Sequence, residues 1–313
     1  MPAAPLAFVP PPHTPRWLRL ALYSPPARIA LFVAALTVTT LAFGALVQVM
    51  LGTAPVPMST AIGTVRYLAS FVLPATLAYW FLVHVIEQRA ATELAPRQLL
   101  RGVAVGVAFG LVLFSAVVGV LWLAGSYRGS GTNPGAHWLV ALLGVGLGAA
   151  VGEEILLRGV LFRVIEEGLG TWWALAISAL FFGFAHAGNP NATLWSSVAI
   201  AIEAGVLFAL VYHLTRSLWP CIGLHAAWNF AQGTIYGIPV SGTAANGWLV
   251  STRSGPDWLS GGAFGAEASV VAIALCSVCS LALLGIARRR GSIVPPAWRR
   301  SRTAATPLPE PLR

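Results

Sequence analysis

The sequence predicts an all-α fold, a polytopic transmembrane helical bundle of about eight spans with both tails cytoplasmic. Three observations carry this. Of 313 residues, 57% are hydrophobic and only 9% charged, whereas a soluble domain carries about 25% charge. Apolar segments recur, most of them near the ~20 residues that cross a bilayer at 1.5 Å per residue. Finally, the arginines gather on alternate connections; there is no lysine, so the net charge of +9 is arginine's alone. This distribution marks membrane topology and gives no reason to expect a nucleic-acid partner.

Residues 1–27 read as a Pro-rich, weakly basic cytoplasmic tail rather than a cleavable signal, because the first apolar block is too long and no A-x-A site follows. The bundle then covers 28–286. Its spans fall near Arg28–Leu51, Thr60–Ile86, Leu100–Gly125, His137–Phe162, Thr171–His186, Leu194–Leu214, Leu218–Ile238 and Phe264–Ile286. Residues 287–313 form a second basic, Pro-rich tail, expected to be disordered. An even span count puts 16 of 19 arginines on the side of the tails, leaves Arg128 and Arg253 opposite, and places Arg66 within a span. By the positive-inside rule, the tails are cytoplasmic. Tryptophans such as Trp80, Trp138 and Trp172 fall near span ends, where interfacial belts form. Gly144, Gly146, Gly148 and Gly152 allow close helix approach. Cys221, Cys276 and Cys279 lie in apolar context and suggest no disulfide framework.

Within the spans a few polar groups stand out, because a carboxylate at bilayer depth is costly unless paired, neutralised or wetted. Glu153 and Glu154 are adjacent, and like charges so close oppose each other. Arg158 follows Glu154 at i+4, a pairing distance on a helix, while Glu153 points about 100° away. One carboxylate can thus be held by arginine while the other stays free. Phe182 and His186 end the fifth span. His225 and Asn229 share one face of the seventh. Convergence of these groups would activate a water, by general-base catalysis or around a metal, and the Asn229 amide could donate to a developing oxyanion.

EExxxR, FxxxH and HxxxN, in this order on three apolar helices, resemble the CAAX-processing and bacteriocin-processing family of intramembrane endopeptidases, the type II CAAX prenyl protease kind, commonly classed as metalloproteases. The resemblance covers residues 137–238, the expected catalytic core. It implies Glu153 as the base that activates water, with His186 orienting it. His225 and Asn229 would stabilise the oxyanion or help hold a metal. Arg158 would pair with Glu154 or bind a substrate's terminal carboxylate. The implied metal set is Glu153, His186 and His225, for Zn²⁺ or another divalent ion; the same groups serve a metal-free route equally, and no HExxH is present. The implied substrate is a membrane-embedded or lipidated peptide.

One geometric tension follows. Counted from the span ends, Glu153 and His225 lie about 8–10 Å from the cytoplasmic face and His186 about 22 Å. A kinked, tilted or longer helix is needed to bring them together. His84 and His213 read as packed or interfacial residues. Glu203 reads equally as a partner for a histidine or as an internal mate for Arg66. A proton-coupled transporter and a non-catalytic scaffold or immunity factor are the alternatives, and no internal repeat supports the first. Lysine-free, Ala- and Arg-rich usage suggests a bacterial plasma membrane.

Overall fold

The computed structural model describes residues 7–57 and 60–300. The protein is a bundle of helices. Seven are long and apolar enough to cross a membrane: α1 (Pro25–Leu51), α2 (Ala61–Ile86), α3 (Pro96–Leu123), α4 (Trp138–Leu169), α5 (Thr171–Gly188), α6 (Leu194–Thr215) and α8 (Val270–Arg289). The remaining expected span, the seventh, is also helical, as α7, which runs over Leu218–Phe230 and continues through Ala231–Ile235. It falls short of the others in hydropathy because it faces protein rather than lipid. Almost every residue from Leu218 to Asn229 is buried, so α7 can carry His225, Asn229 and Gln232. The protein is thus an integral, multi-pass membrane protein.

Local signals set the helix ends. Ser24, Thr60, Thr193, Ser217 and Ser269 accept a backbone N–H at the starts of α1, α2, α6, α7 and α8, as N-caps do. Gly170, at φ 84°, separates α4 from α5 in a backbone conformation that glycine adopts freely. The loops between α3 and α4 and between α7 and α8 add an antiparallel pair of strands, β1 (Tyr127–Thr132) and β2 (Leu249–Arg253).

α7 sits at the centre, and glycines make that possible. A Cβ on Gly106 of α3 would stand 2.2 Å from the Pro220 carbonyl oxygen, and one on Gly110 would stand 2.6 Å from that of Leu224. Gly223 answers from α7, 2.6 Å from the Val103 carbonyl. The backbones therefore touch, as small residues spaced by four allow in membrane bundles. Gly152, singled out in the sequence, does a related job, since a Cβ there would lie 2.4 Å from the Phe71 ring of α2.

A network of buried charge ties α1, the α2–α3 connection and the end of α4 together at one face. Arg28 of α1 donates to Glu87 at 2.8 Å and pairs with Glu167 at 2.5 Å. Arg163 donates to the same Glu87 at 2.9 Å. Arg89 binds both Glu87 and Glu93, each at 2.7 Å, and the Tyr79 hydroxyl donates to Glu93 at 2.6 Å. Burial alone would raise the Glu93 carboxyl, but the Arg89 hydrogen bonds and the Arg163 charge outweigh it and hold the group at about 2. Beside this network, Glu166 binds His213 at 2.7 Å and also Arg216, so the packed reading of His213 fits the structure.

The C-terminal segment departs from the expected disorder as far as it is described. The Val294 N–H donates to the Thr171 hydroxyl at 2.8 Å and its carbonyl accepts from the Thr171 N–H at 3.0 Å. Ser292 bonds the His213 ring at 3.0 Å, and Arg300 donates to the Glu167 carbonyl. These bonds are made to groups on α4, α5 and α6 that would otherwise be left open at the helix ends. Residues 301–313, part of the same expectation, lie outside the described residues. At the other end of the chain, Phe8 is buried beneath Arg28, whose guanidinium carbon lies 4.7 Å from the ring centre.

Candidate active site

Glu153 and Glu154 lie on α4 between two wide-turned stretches, Leu142–Gly148 and Ile155–Phe162. Such π-type turns rotate successive side chains away from the regular helical pattern and recur at functional sites. The two carboxylates diverge as the spacing predicts. Glu154 is fully buried, while the Glu153 side chain retains 24% exposure and lines a cavity of 540 Å³.

Arg158 closes on Glu154 at 2.9 Å, one turn away. It also donates to the carbonyls of Ala204 and Gly205 at 3.1 and 3.2 Å. Its guanidinium lies between the Phe182 and Phe208 rings, 5.0 and 5.2 Å from their centres. At 1% exposure it cannot reach a substrate. Of its two expected contacts, the structure shows the one with Glu154. Phe182 also makes an edge-on contact to His186, with ring centres 4.8 Å apart.

The same Glu154 oxygen that meets Arg158 faces His225 Nδ1 at 2.9 Å. This fixes the imidazole and leaves Nε2 toward Glu153, whose nearer oxygen is 3.9 Å away. Asn229, one turn further along α7, donates to the Val145 carbonyl at 3.0 Å. That bond uses one of its two amide hydrogens, so half the donor capacity expected for an oxyanion remains. His186 makes a 2.8 Å bond between Nδ1 and the Phe182 carbonyl, and it borders the same cavity as Glu153, His225 and Asn229.

The part of the depth tension that separates Glu153 from His186 resolves at α4. The helix does not stop at Phe162 but continues to Leu169, which places Glu153 sixteen residues from its end, about 24 Å. His186 lies at a similar distance from the start of α5, so the two reach one level.

The metal set is not gathered. Among the described residues no three His, Cys, Asp or Glu side chains converge closely enough to hold an ion. Nδ1 of His225 is held by Glu154 and Nδ1 of His186 by a backbone carbonyl, which leaves Nε2 of each ring free, as in metal-ligating histidines. Glu153, His186 and His225 thus border one cavity without meeting at a point in this arrangement.

Two residues enlarge the site beyond the sequence reading. Glu203 is not a mate of Arg66, which instead donates to the carbonyls of Leu51, Gly52 and Ala54 at the end of α1. Glu203 lies behind the histidines, beside Cys276 Sγ at 3.7 Å. With it, around a space of only 20 Å³, stand Glu267, His186 and His225. Burial pushes the Glu267 carboxyl up, against hydrogen bonds from Ser241 and Gln232 and the charge of His186. Glu267 belongs to the α7–α8 connection, where an acid attracts no notice by sequence alone.

Residues 135–231 match the family model described as "Type II CAAX prenyl endopeptidase Rce1-like". The matched segment carries all six candidate residues, and the resemblance to the CAAX-processing endopeptidases is borne out over it. The match supports a membrane-embedded protease. No curated protein and no solved structure matches the chain.

Proposed function

We propose that the protein is an intramembrane endopeptidase that hydrolyses a peptide bond of a membrane-anchored or lipidated protein, using water activated by Glu153. One observation carries this reading: in a pair of adjacent glutamates, one is buried against arginine and histidine while the other, 3.9 Å from the same histidine, faces a cavity. Structural packing needs only the first.

Glu153 accepts a proton from a water in the cavity, and the hydroxide adds to the scissile carbonyl carbon. The carbonyl oxygen becomes an oxyanion. The remaining Asn229 amide hydrogen is a donor available to it, and so is His225 Nε2 when the imidazole carries both protons. Collapse breaks the C–N bond, and the proton held by Glu153 passes to the leaving amine. Glu154 and Arg158 do not touch substrate; they orient His225. General acid–base catalysis of this kind is worth ~10²–10⁴-fold.

The test compares peptide termini, by mass spectrometry, in membranes of cells that express the wild type or Glu153→Gln. Termini present only with the wild type are expected. Identical termini at equal expression would overturn the proposal.

A further inference from the structure

The cavity has a direction. Its rim is built from four connections: Pro57 between α1 and α2, His137 at the start of α4, Asn189 after α5, and Thr243 and Asn246 between α7 and α8. All four lie at the end of the bundle opposite both chain termini. The described N- and C-terminal segments meet at the other end, where Arg28 and Arg300 both contact Glu167. Pro57, His137, Thr243 and Asn246 are exposed, whereas Glu153 at the floor is mostly covered.

Toward the termini the cavity is shut. Past Glu154, α4 buries Ile155, Leu157, Val160 and Phe162 in succession, and Arg163 then enters the charge network at 1% exposure. A peptide cannot pass that plug without breaking both an apolar layer and a set of buried ion pairs.

The arginines distinguish the two ends. The structure moves Arg158 into the site, at mid-depth, and Arg66 to the far end beside Leu51, Gly52 and Ala54. Among the described residues the split becomes thirteen arginines at that end against three opposite, still a strong positive-inside signal. The end with the termini is cytoplasmic and the rim is not.

The cavity wall adds a chemical constraint. No arginine borders it among the described residues, and its charged or titratable groups are Glu153, Tyr67 and three histidines. The wall offers no guanidinium to seat a free carboxylate, since Arg158 is sealed behind Phe182 and Phe208.

We infer that the site is served from the extracytoplasmic side, and that its substrate is an internal stretch of a membrane-anchored protein just outside the bilayer rather than a cytoplasmic, lipidated C-terminus. This rests on the endopeptidase reading and assigns it a substrate class.

The test uses the full chain in a Cys279→Ala background, since Cys221 and Cys276 are buried. Ala244→Cys reports the rim and Arg290→Cys the opposite end; both positions are exposed. A membrane-impermeant maleimide added to intact cells, with the outer membrane opened where there is one, should label Ala244→Cys at least tenfold more than Arg290→Cys. In inside-out vesicles the preference should reverse. Termini that depend on Glu153 should then map to extracytoplasmic segments of their parent proteins. Preferential or equal labelling of Arg290→Cys in intact cells, or Glu153-dependent termini confined to cytoplasmic segments, would overturn the inference and leave the endopeptidase reading standing. Correct labelling without any Glu153-dependent termini would instead sink the endopeptidase reading, and the substrate assignment with it.

Discussion

Arg158 illustrates how much one side chain can be asked to do. It is buried with a carboxylate, two backbone carbonyls and two aromatic faces, and each contact uses the planar guanidinium. An ammonium cannot reproduce that fork. Arg158→Lys should therefore release the Glu154 grip on His225 and lower turnover about tenfold or more at unchanged expression, measured by the abundance of Glu153-dependent termini. Glu154→Gln should do more damage, because it leaves a buried arginine without its counter-charge; breaking such a pair costs about 3–5 kcal/mol, read as a lower unfolding temperature in detergent. The six candidate residues are legible in the sequence because charge inside an apolar run is conspicuous. Their division of labour is only half legible. Helical spacing separates Glu153 from Glu154 correctly, but it cannot show that Phe182 and Phe208 wall off Arg158, or that Val145 takes one hydrogen of Asn229. Glu267 escapes because it sits in a polar connection, where its burial depends on how the loop folds back.

Among the helices, α7 decides the architecture. It brings His225 and Asn229 to α4 only because α3 lets it approach backbone to backbone at Gly106 and Gly110. Gly106→Ala should be strongly unfavourable, since the new methyl meets a carbonyl oxygen that belongs to a helix and cannot move alone; overpacking of this kind costs about 1–3 kcal/mol. Gly119→Ala, on the same helix but with nothing near its Cβ, should be neutral or gain up to about 1 kcal/mol from helix propensity. Thermal unfolding of the two variants in one detergent separates them. The spans are readable from hydropathy alone, with α7 the instructive exception: a helix surrounded by protein need not be as apolar as one that meets lipid. The end of α4 lies beyond where hydropathy puts it, for the opposite reason. Arg163, Glu166 and Glu167 look like a loop, yet they continue the helix because each charge finds a partner inside the fold.

At the scale of the molecule, the bundle is tight at the end where Arg28 and Arg300 meet Glu167 and hollow at the other. The tight end carries three arginines, Arg28, Arg89 and Arg163, against three glutamates, Glu87, Glu93 and Glu167. Its pH dependence has a definite sign. Glu93, held at about 2 when folded, ionises near 4.3 in an unfolded chain. It thus stabilises the protein fully above that value and loses the contribution as pH falls toward 2; Glu87, also lowered, acts in the same direction. The unfolding temperature in detergent should be level from about pH 7 to 5 and decline below about 4. Replacement of Glu93 by Gln should lower the plateau and flatten that decline. The sign of this face is readable from its arginines, but its internal pairing is not, because it joins residues as distant in the chain as Arg28 and Glu167.

The same network has a bearing on how the protein is made. Synthesis runs past Arg16, Arg19, Arg28 and Arg66 before the first acidic residue, Glu87, appears. No acid occurs among residues 1–86, so while α1 and most of α2 are inserted these residues offer Arg28 no counter-charge, and its cation acts on the direction in which α1 enters the bilayer. Its partners arrive later: Glu87 once α2 is complete, Glu167 not until α4 has been made. The charge that first steers the nascent chain is afterwards enclosed by the acids that follow it, so the folded protein retires its own orientation signal as assembly proceeds.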